Sequence, residues 1–172
     1  MNFFVPSDNQ EMQERYQLRG GGTCGVAVLA VIKNVTIKRI LQSSKIRYNG
    51  YLPLRIMRQM LEQMGYSTKL RGGKKSHRFP KPITDLAVVR IQWFDNNGQE
   101  FESFMEATKH THYVLMKKFD DAWWIFCNGE GWFPKNCLRS MYYLEKGYVS
   151  SYLEIAPIPP TDKSVGILGG RL

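Results

Sequence analysis

The strongest constraint on the fold of this chain is the run CGVAVLAVI at residues 24–32, which follows three consecutive glycines and Thr23. Glycine breaks regular structure and tolerates backbone angles that other residues resist, so a new element begins after Gly22. The run is apolar on nearly every side, which is typical of a helix buried in a domain core, and Thr23 is placed to cap it. Its β-branched residues would also suit a buried strand. The segment therefore predicts a core element that begins at Cys24.

Two further segments in the first half of the chain have helical spacing. Residues 54–64, LRIMRQMLEQM, place leucine and methionine side chains on one face with charged residues between them, and Gly65 supplies the stop. Residues 37–41 are predicted to form a shorter helix. The methionine stripe is interpreted as core packing rather than as a ligand site.

Beyond residue 85 the pattern changes to strands rich in β-branched and aromatic residues. Asn97-Gly98 is a strong hairpin signal after the first strand, and Asp120-Asp121 joins the next two strands in a second hairpin. Helices first and antiparallel strands afterwards predict an α+β domain rather than alternating βαβ units. The predicted strands are residues 86–94, 112–119, 123–127 and 148–155.

Length and composition favour one compact domain. A chain of 172 residues, 43% of them apolar, buries a core without help from disulfides or metals. Its three widely spaced cysteines fit neither a disulfide framework nor a zinc site, so we expect a free thiol, no metal and no cofactor. We expect a polar lead-in at 1–16, the domain at 17–156 and an extended tail at 157–172.

The sequence has no signal-peptide core and no apolar run long enough to span a bilayer. This predicts no membrane insertion and a cytoplasmic location, or delivery to a host cell by a signal that the sequence does not display.

The net charge of +9 favours acidic partners such as nucleic acid or acidic proteins. Much of the excess lies in residues 69–81, KLRGGKKSHRFPK, whose glycines and prolines predict an exposed basic loop. Two interpretations stay open for this loop: a solvated segment that keeps the protein soluble, or a weak contact with an acidic or nucleic-acid partner.

Three polar residues have positions that suit thiol chemistry. Cys24 stands at a predicted helix start, where partial positive charge and unpaired N–H groups favour a thiolate and can hold an oxyanion. His112 heads a predicted strand, so it is held more rigidly than His110, which is the fallback base. Asn128 follows the next strand, and pairing of the two strands would bring its amide beside His112. Taken singly, each also has a purely structural interpretation.

Taken together, these segments resemble a known family. Residues 17–32, QLRGGGTCGVAVLAVI, and residues 112–133, HYVLMKKFDDAWWIFCNGEGWF, are similar to the bacteriocin-processing, double-glycine-leader peptidases of the papain-like clan. The family pattern is an upstream Gln, a Cys-Gly-x-Ala-x-Leu helix start, a strand beginning His-aromatic-Val-Leu, and an Asp-Pro turn one hairpin later. Here Asn-Gly replaces Asp-Pro, and the Gln lies one residue further from the cysteine.

The resemblance implies a papain-like cysteine protease fold, with N-terminal helices packed on a C-terminal antiparallel sheet. It assigns Cys24 as nucleophile, His112 as base, Asn128 as the residue that orients the base, and Gln17 as an oxyanion donor. Cys127 and Cys137 match no catalytic position and are interpreted as structural. By strand alternation, Cys127 is predicted to point away from His112 if Asn128 points toward it.

The resemblance and the residues together predict thiol-dependent hydrolysis of an amide bond. A protein or peptide substrate would make the chain a cysteine protease, which we prefer, and a glutamine side chain would make it a deamidase of the same clan. The alternative from another class is a non-catalytic basic module that binds nucleic acid or protein, supported by the net charge of +9 and the aromatic-rich segment 123–133.

Overall fold

The computed structural model describes residues 23–43 and 51–159. The predicted lead-in, the glycines before Thr23, Gln17 and the tail beyond residue 159 lie outside the described residues. Nothing in the described part of the chain is a helix long and apolar enough to cross a membrane.

Three helices open the described chain. The apolar run that follows Thr23 forms α1, Cys24–Lys33, and every residue from Gly25 to Ile32 is buried. Asn34 ends α1 in a left-handed conformation with φ 55°, which suits a helix C-terminus and which asparagine tolerates better than most residues. The next two helices are α2, Ile37–Ser43, and α3, Leu54–Gln63. All three helices lie where the sequence predicted them, and the strand left open as the alternative for residues 24–32 is not formed.

Six strands form one antiparallel sheet in the order β1-β6-β2-β3-β4-β5. Their bounds are β1, Tyr66–Ser76; β2, Leu86–Trp93; β3, Thr111–Phe119; β4, Ala122–Cys127; β5, Gly131–Pro134; and β6, Gly147–Pro157. Two more helices, α4, Phe104–Lys109, and α5, Leu138–Glu145, lie between strands of the second half and were not predicted. The predicted α+β class is confirmed.

Each face of the sheet covers its own apolar core. On the helix side, α1 packs with residues such as Tyr113, Leu115 and Phe126. On the far side, the alternate residues of the same strands, including Val114 and Ile125, pack with α5. Successive side chains of a strand point to opposite faces. A shift of one residue in β3 or β4 therefore moves a side chain from one core to the other.

The prediction of a basic loop at residues 69–81 is wrong for most of its length, because β1 runs to Ser76. Within residues 23–43 and 51–159, this strand is outermost in the sheet and pairs with β6, from Tyr66 opposite Pro157 to Gly72 opposite Ser151, before a bulge. Lysine and glycine are poor strand formers, but the backbone of β6 supplies the hydrogen bonds. The basic side chains of β1 stand largely exposed along this edge.

The hairpin predicted at Asn97-Gly98 is also wrong. The segment does turn, since the Gly98 N–H donates to the Asp95 carbonyl, but helix α4 follows it instead of a strand. The buried Gln92 side chain donates to the carbonyls of Ala107 and His110, at 2.8 and 3.2 Å. These hydrogen bonds hold the end of α4 against β2. The chain therefore passes from β2 through α4 to β3, which pairs with β2.

Candidate active site

Cys24, the candidate nucleophile, is the first residue of α1 and is half-buried. Its Sγ accepts a hydrogen bond from the backbone N–H of Tyr113 at 3.4 Å. Tyr113 lies on β3, two residues before the ladder of β3 and β4 begins at the pair Leu115 and Phe126. The sulfur therefore sits beyond the end of that ladder, where the start of a helix meets the start of a central strand.

Burial raises the pKa of the Cys24 thiol above its ordinary value. Backbone N–H groups of Tyr113, Gly25 and Cys24 itself act in the opposite direction, because a hydrogen bond to a thiolate stabilises the charged form. Burial is the larger effect. The backbone N–H groups favour the thiolate, but they do not outweigh burial, so a proton acceptor is needed before Cys24 becomes a strong nucleophile.

Asn128 reaches the start of the same helix through Thr23. The Asn128 Nδ2 donates to the Thr23 Oγ1 at 3.0 Å. Thr23 occupies the N-cap position, as predicted, but its side chain makes no capping hydrogen bond to α1. The Thr23 hydroxyl, which was predicted to cap α1, instead accepts a hydrogen bond from Asn128, the residue that follows β4.

His112 lies on the far side of the sheet, in contact with a different cysteine. Its Nε2 is 3.3 Å from the Sγ of Cys127. The imidazole stacks on Trp93 and on Tyr143, each at a centroid distance of 5.7 Å. Cys127 was predicted to point away from His112 on the condition that Asn128 points toward the imidazole. That condition is not met, because Asn128 contacts Thr23 and Cys127 faces His112 instead.

Strand register explains this outcome. Leu115 and Phe126 are partners and belong to the helix-side core, as does Tyr113. Counting in steps of two, Asn128 takes the helix side, where it meets Thr23, whereas His112 and Cys127 take the far side. The prediction that the hairpin brings Asn128 beside His112 did not specify which residues are partners, and with Leu115 opposite Phe126 the two side chains lie on opposite faces.

The far-side contacts hold His112 neutral. Burial lowers the pKa of His112 from 6.5 to about 4, since a charged imidazolium loses its hydration there. Burial also raises the pKa of Cys127, which the Tyr143 hydroxyl partly offsets by hydrogen bonding to the sulfur. A neutral imidazole therefore faces a neutral thiol near pH 7.

Two other titratable residues bear on the chemistry. His110, the fallback base, is exposed, and its ring stacks on Phe101 at a centroid distance of 4.3 Å. Cys137 precedes α5 and is half-buried; burial raises its pKa, but hydrogen bonds from Ser140 and the nearby Arg139 outweigh burial and lower it overall. Cys137 is thus a background thiol that any labelling experiment has to separate from Cys24.

Thr23, Cys127 and Tyr143 were not recognised as parts of the site from the sequence. The only signal for the first was its place before Cys24, and no sequence signal places the Tyr143 helix against β4. The role of Gln17 stays a prediction, since it precedes the described residues. Within residues 23–43 and 51–159, no cluster of three His, Cys, Asp or Glu side chains is arranged to hold a metal ion.

The solved structures that superpose on this chain include two peptidases. One is a double glycine motif protease from an AMS/PCAT transporter in complex with the leader peptide, with 16% identity, a TM-score of 0.45, and coverage of 82% of this chain and 89% of its own. The other is the peptidase domain of Streptococcus ComA, a bi-functional ABC transporter involved in quorum sensing, with 13% identity, a TM-score of 0.47, and coverage of 82% and 95%. The likeness is one of fold. No protein-family model matches the chain, and no curated protein sequence matches it.

Proposed function

We propose that this chain hydrolyses amide bonds through Cys24 as nucleophile, His112 as base and Asn128 as the residue that orients the base. The observation that carries the proposal is the setting of the Cys24 sulfur. It is the first side chain of a buried helix, it accepts the N–H of Tyr113 at 3.4 Å, and His112 is the neighbouring residue on the same strand. A thiol in such a place has backbone N–H groups beside it that can hold an oxyanion, and its proposed base is one residue away along the same strand.

In the proposed reaction, His112 takes the proton of Cys24 and the sulfur attacks the carbonyl carbon of the amide. The oxyanion is held by the backbone N–H of Cys24 and by Gln17. The amine leaves with the proton from His112, and water then hydrolyses the thioester, which returns the thiol.

This reaction requires His112 to exchange its contact with Cys127 for one with Cys24. The exchange is local, because His112 directly precedes Tyr113, whose backbone already touches the Cys24 sulfur. The ladder of β3 with β4 starts only at Leu115, but β2 pairs with this first part of β3 and places Ile91 opposite His112. The exchange therefore has to open the end of the β2–β3 ladder. Asn128, tied to Thr23 at the helix start, would then stand beside the relocated imidazole.

A peptide bond is the preferred target, which makes the chain a cysteine protease, whereas a glutamine side chain would make it a deamidase. Both reactions use the same residues. An unstructured protein such as casein tests the first activity by appearance of new N-termini, and ammonia release from glutamine-containing peptides tests the second.

A second function is favoured by one observation. In the described arrangement the base contacts Cys127 and burial raises the pKa of Cys24, as expected of a papain-like scaffold that binds without turnover. The partner would then be acidic, held by the exposed lysines of β1. Binding of a polyanion without any labelling of Cys24 in the folded protein would support this function.

The deciding experiment is iodoacetamide labelling resolved by residue, in a Cys137→Ala background that removes the background thiol. The proposed hydrolase should alkylate Cys24 in the folded protein, and Cys24→Ala should abolish amide hydrolysis while leaving the far-ultraviolet circular dichroism unchanged. The matched variant Cys127→Ala shows how much of the iodoacetamide labelling comes from the other buried thiol. Amide hydrolysis that persists in folded Cys24→Ala protein would contradict the proposal.

A further inference from the structure

The far side of the sheet contains a cluster of four side chains, here called the histidine cluster: Trp93, His112, Cys127 and Tyr143. The imidazole of His112 stacks on the two aromatic rings, at interplanar angles of 30° and 21°. Its Nε2 lies 3.3 Å from the sulfur of Cys127, and the same sulfur accepts a hydrogen bond from the hydroxyl of Tyr143. Three separate elements, β2, β4 and α5, therefore fix one imidazole.

The groups that face His112 carry no net charge. From β4 the imidazole meets the Cys127 thiol, from α5 the Tyr143 phenol, and from β2 the Trp93 ring. The nearest charges around Cys127 and Tyr143 belong to Glu130 and Arg139, which form an ion pair at 3.0 Å. A neutral imidazole thus suits this cluster, whereas a catalytic imidazolium does not.

The histidine cluster and Cys24 compete for the same base. A neutral imidazole has a single acceptor nitrogen, because the other ring nitrogen carries the N–H. While Nε2 accepts a hydrogen bond from the Cys127 thiol, it is not free to take the Cys24 proton. Only the fraction of molecules in which His112 has left the cluster can activate Cys24, and the apparent rate falls by that fraction.

We propose that Cys127 is a positioning residue that holds His112 on the far side of the sheet in a resting state, and that Cys24 becomes active when this contact breaks. The inference rests on the proposed function, since it assigns His112 as the base of Cys24. Cys127 does not touch the reacting atoms in this scheme. Its thiol determines the fraction of molecules in which His112 is free to act as the base of Cys24.

Replacing Cys127 by valine tests this directly, because valine keeps nearly the same volume but has no hydrogen-bonding atom. In a Cys137→Ala background, Cys127→Val should raise the rate of Cys24 alkylation near pH 7 by about 3- to 10-fold, the range that corresponds to one buried hydrogen bond. The matched Cys127→Ser keeps a hydroxyl in the same place and should stay closer to the parent protein. Adding His112→Ala to Cys127→Val should remove the gain.

Two further measurements separate this inference from the proposed function. Nuclear magnetic resonance of the His112 ring should show its pKa rising in Cys127→Val as the imidazole pairs with the Cys24 thiolate. If Cys127→Val labels Cys24 faster in a way that depends on His112, but no amide is hydrolysed, the positioning role is supported and the proposed hydrolase activity is contradicted. Amide hydrolysis by the parent protein that is unchanged in Cys127→Val would do the reverse. If Cys127→Val does not fold, the same measurements are made on Cys127→Ala. A folded variant whose Cys24 alkylation rate and His112 ring signal equal those of the parent protein would overturn the inference.

Discussion

Buried His112 should make the protein lose stability as the pH falls below neutral. The pKa of His112 is about 4 in the folded protein against an ordinary value of 6.5. Below pH 6.5 the His112 imidazole is protonated in the unfolded chain but still neutral in the folded chain. The free energy of unfolding therefore decreases as the pH decreases. The loss begins near pH 6.5 and is complete near pH 4, below which both states are protonated.

The size of this effect follows from the difference of the two pKa values. At 1.36 kcal/mol per pH unit, a depression from 6.5 to about 4 corresponds to about 3 kcal/mol. Because the residue as a whole is only half-buried, part of this is screened, and we expect a loss of about 2 to 3 kcal/mol between pH 7 and pH 4. That is a large share of the stability of a small domain.

Urea unfolding at several pH values measures the effect, with His112→Phe as the variant that keeps an aromatic ring in the stack. The difference in unfolding free energy between the parent protein and His112→Phe should shrink as the pH falls, by about 2 to 3 kcal/mol in favour of the variant. His110→Gln is the matched control, because that imidazole is exposed. A parent-minus-His112→Phe difference that stays constant from pH 7 to pH 4 would refute the burial of a neutral imidazole.

Three other predictions follow from single contacts. Asn128→Ala should cost about 1 kcal/mol in urea unfolding, because it removes the donor to the Thr23 hydroxyl, whereas Asn128→Asp lets that hydroxyl donate to a carboxylate and should retain stability and activity. Gly72→Ala should lower the melting temperature more than Gly73→Ala, since both have positive φ but only the first places a Cβ 2.8 Å from the Ser151 Cβ. Glu154, whose pKa is lowered by the Ile83 N–H and by Arg71, stabilises the fold above its ordinary pKa, so Glu154→Gln should be destabilising at pH 7 and the difference should vanish in acid.

The helical half of the fold could be predicted because its signals are local. The apolar run after Thr23 can only be buried, and its glycine punctuation fixes where it starts, so the placement of Cys24 at a helix start followed from sequence. β1 could not be predicted, because its lysines and glycines oppose strand formation and only pairing with β6 makes it a strand.

The relation of His112 to Asn128 depended on one residue of register. Phe119 pairs with Ala122, so the connection is the two-residue turn Asp120-Asp121, and both residues adopt positive φ, at 44° and 65°. That turn length decides which face each later residue of β4 takes. The sequence marks the turn at Asp120-Asp121 but does not state which residues of the two strands are partners, and a pairing shifted by one residue would have put Asn128 and His112 on the same face.

The basic edge of the sheet has a consequence for how the protein behaves in concentrated solution. Among the described strands, none pairs with the outer side of β1, and that edge can pair with a strand of another molecule. A second copy arriving in that way would bring like charges together, because Lys69, Lys74 and Lys75 are exposed along the strand. Repulsion of this kind weakens as salt screens it. Samples kept at low ionic strength should therefore resist strand-to-strand aggregation, and high salt or acetylation of these lysines should promote it.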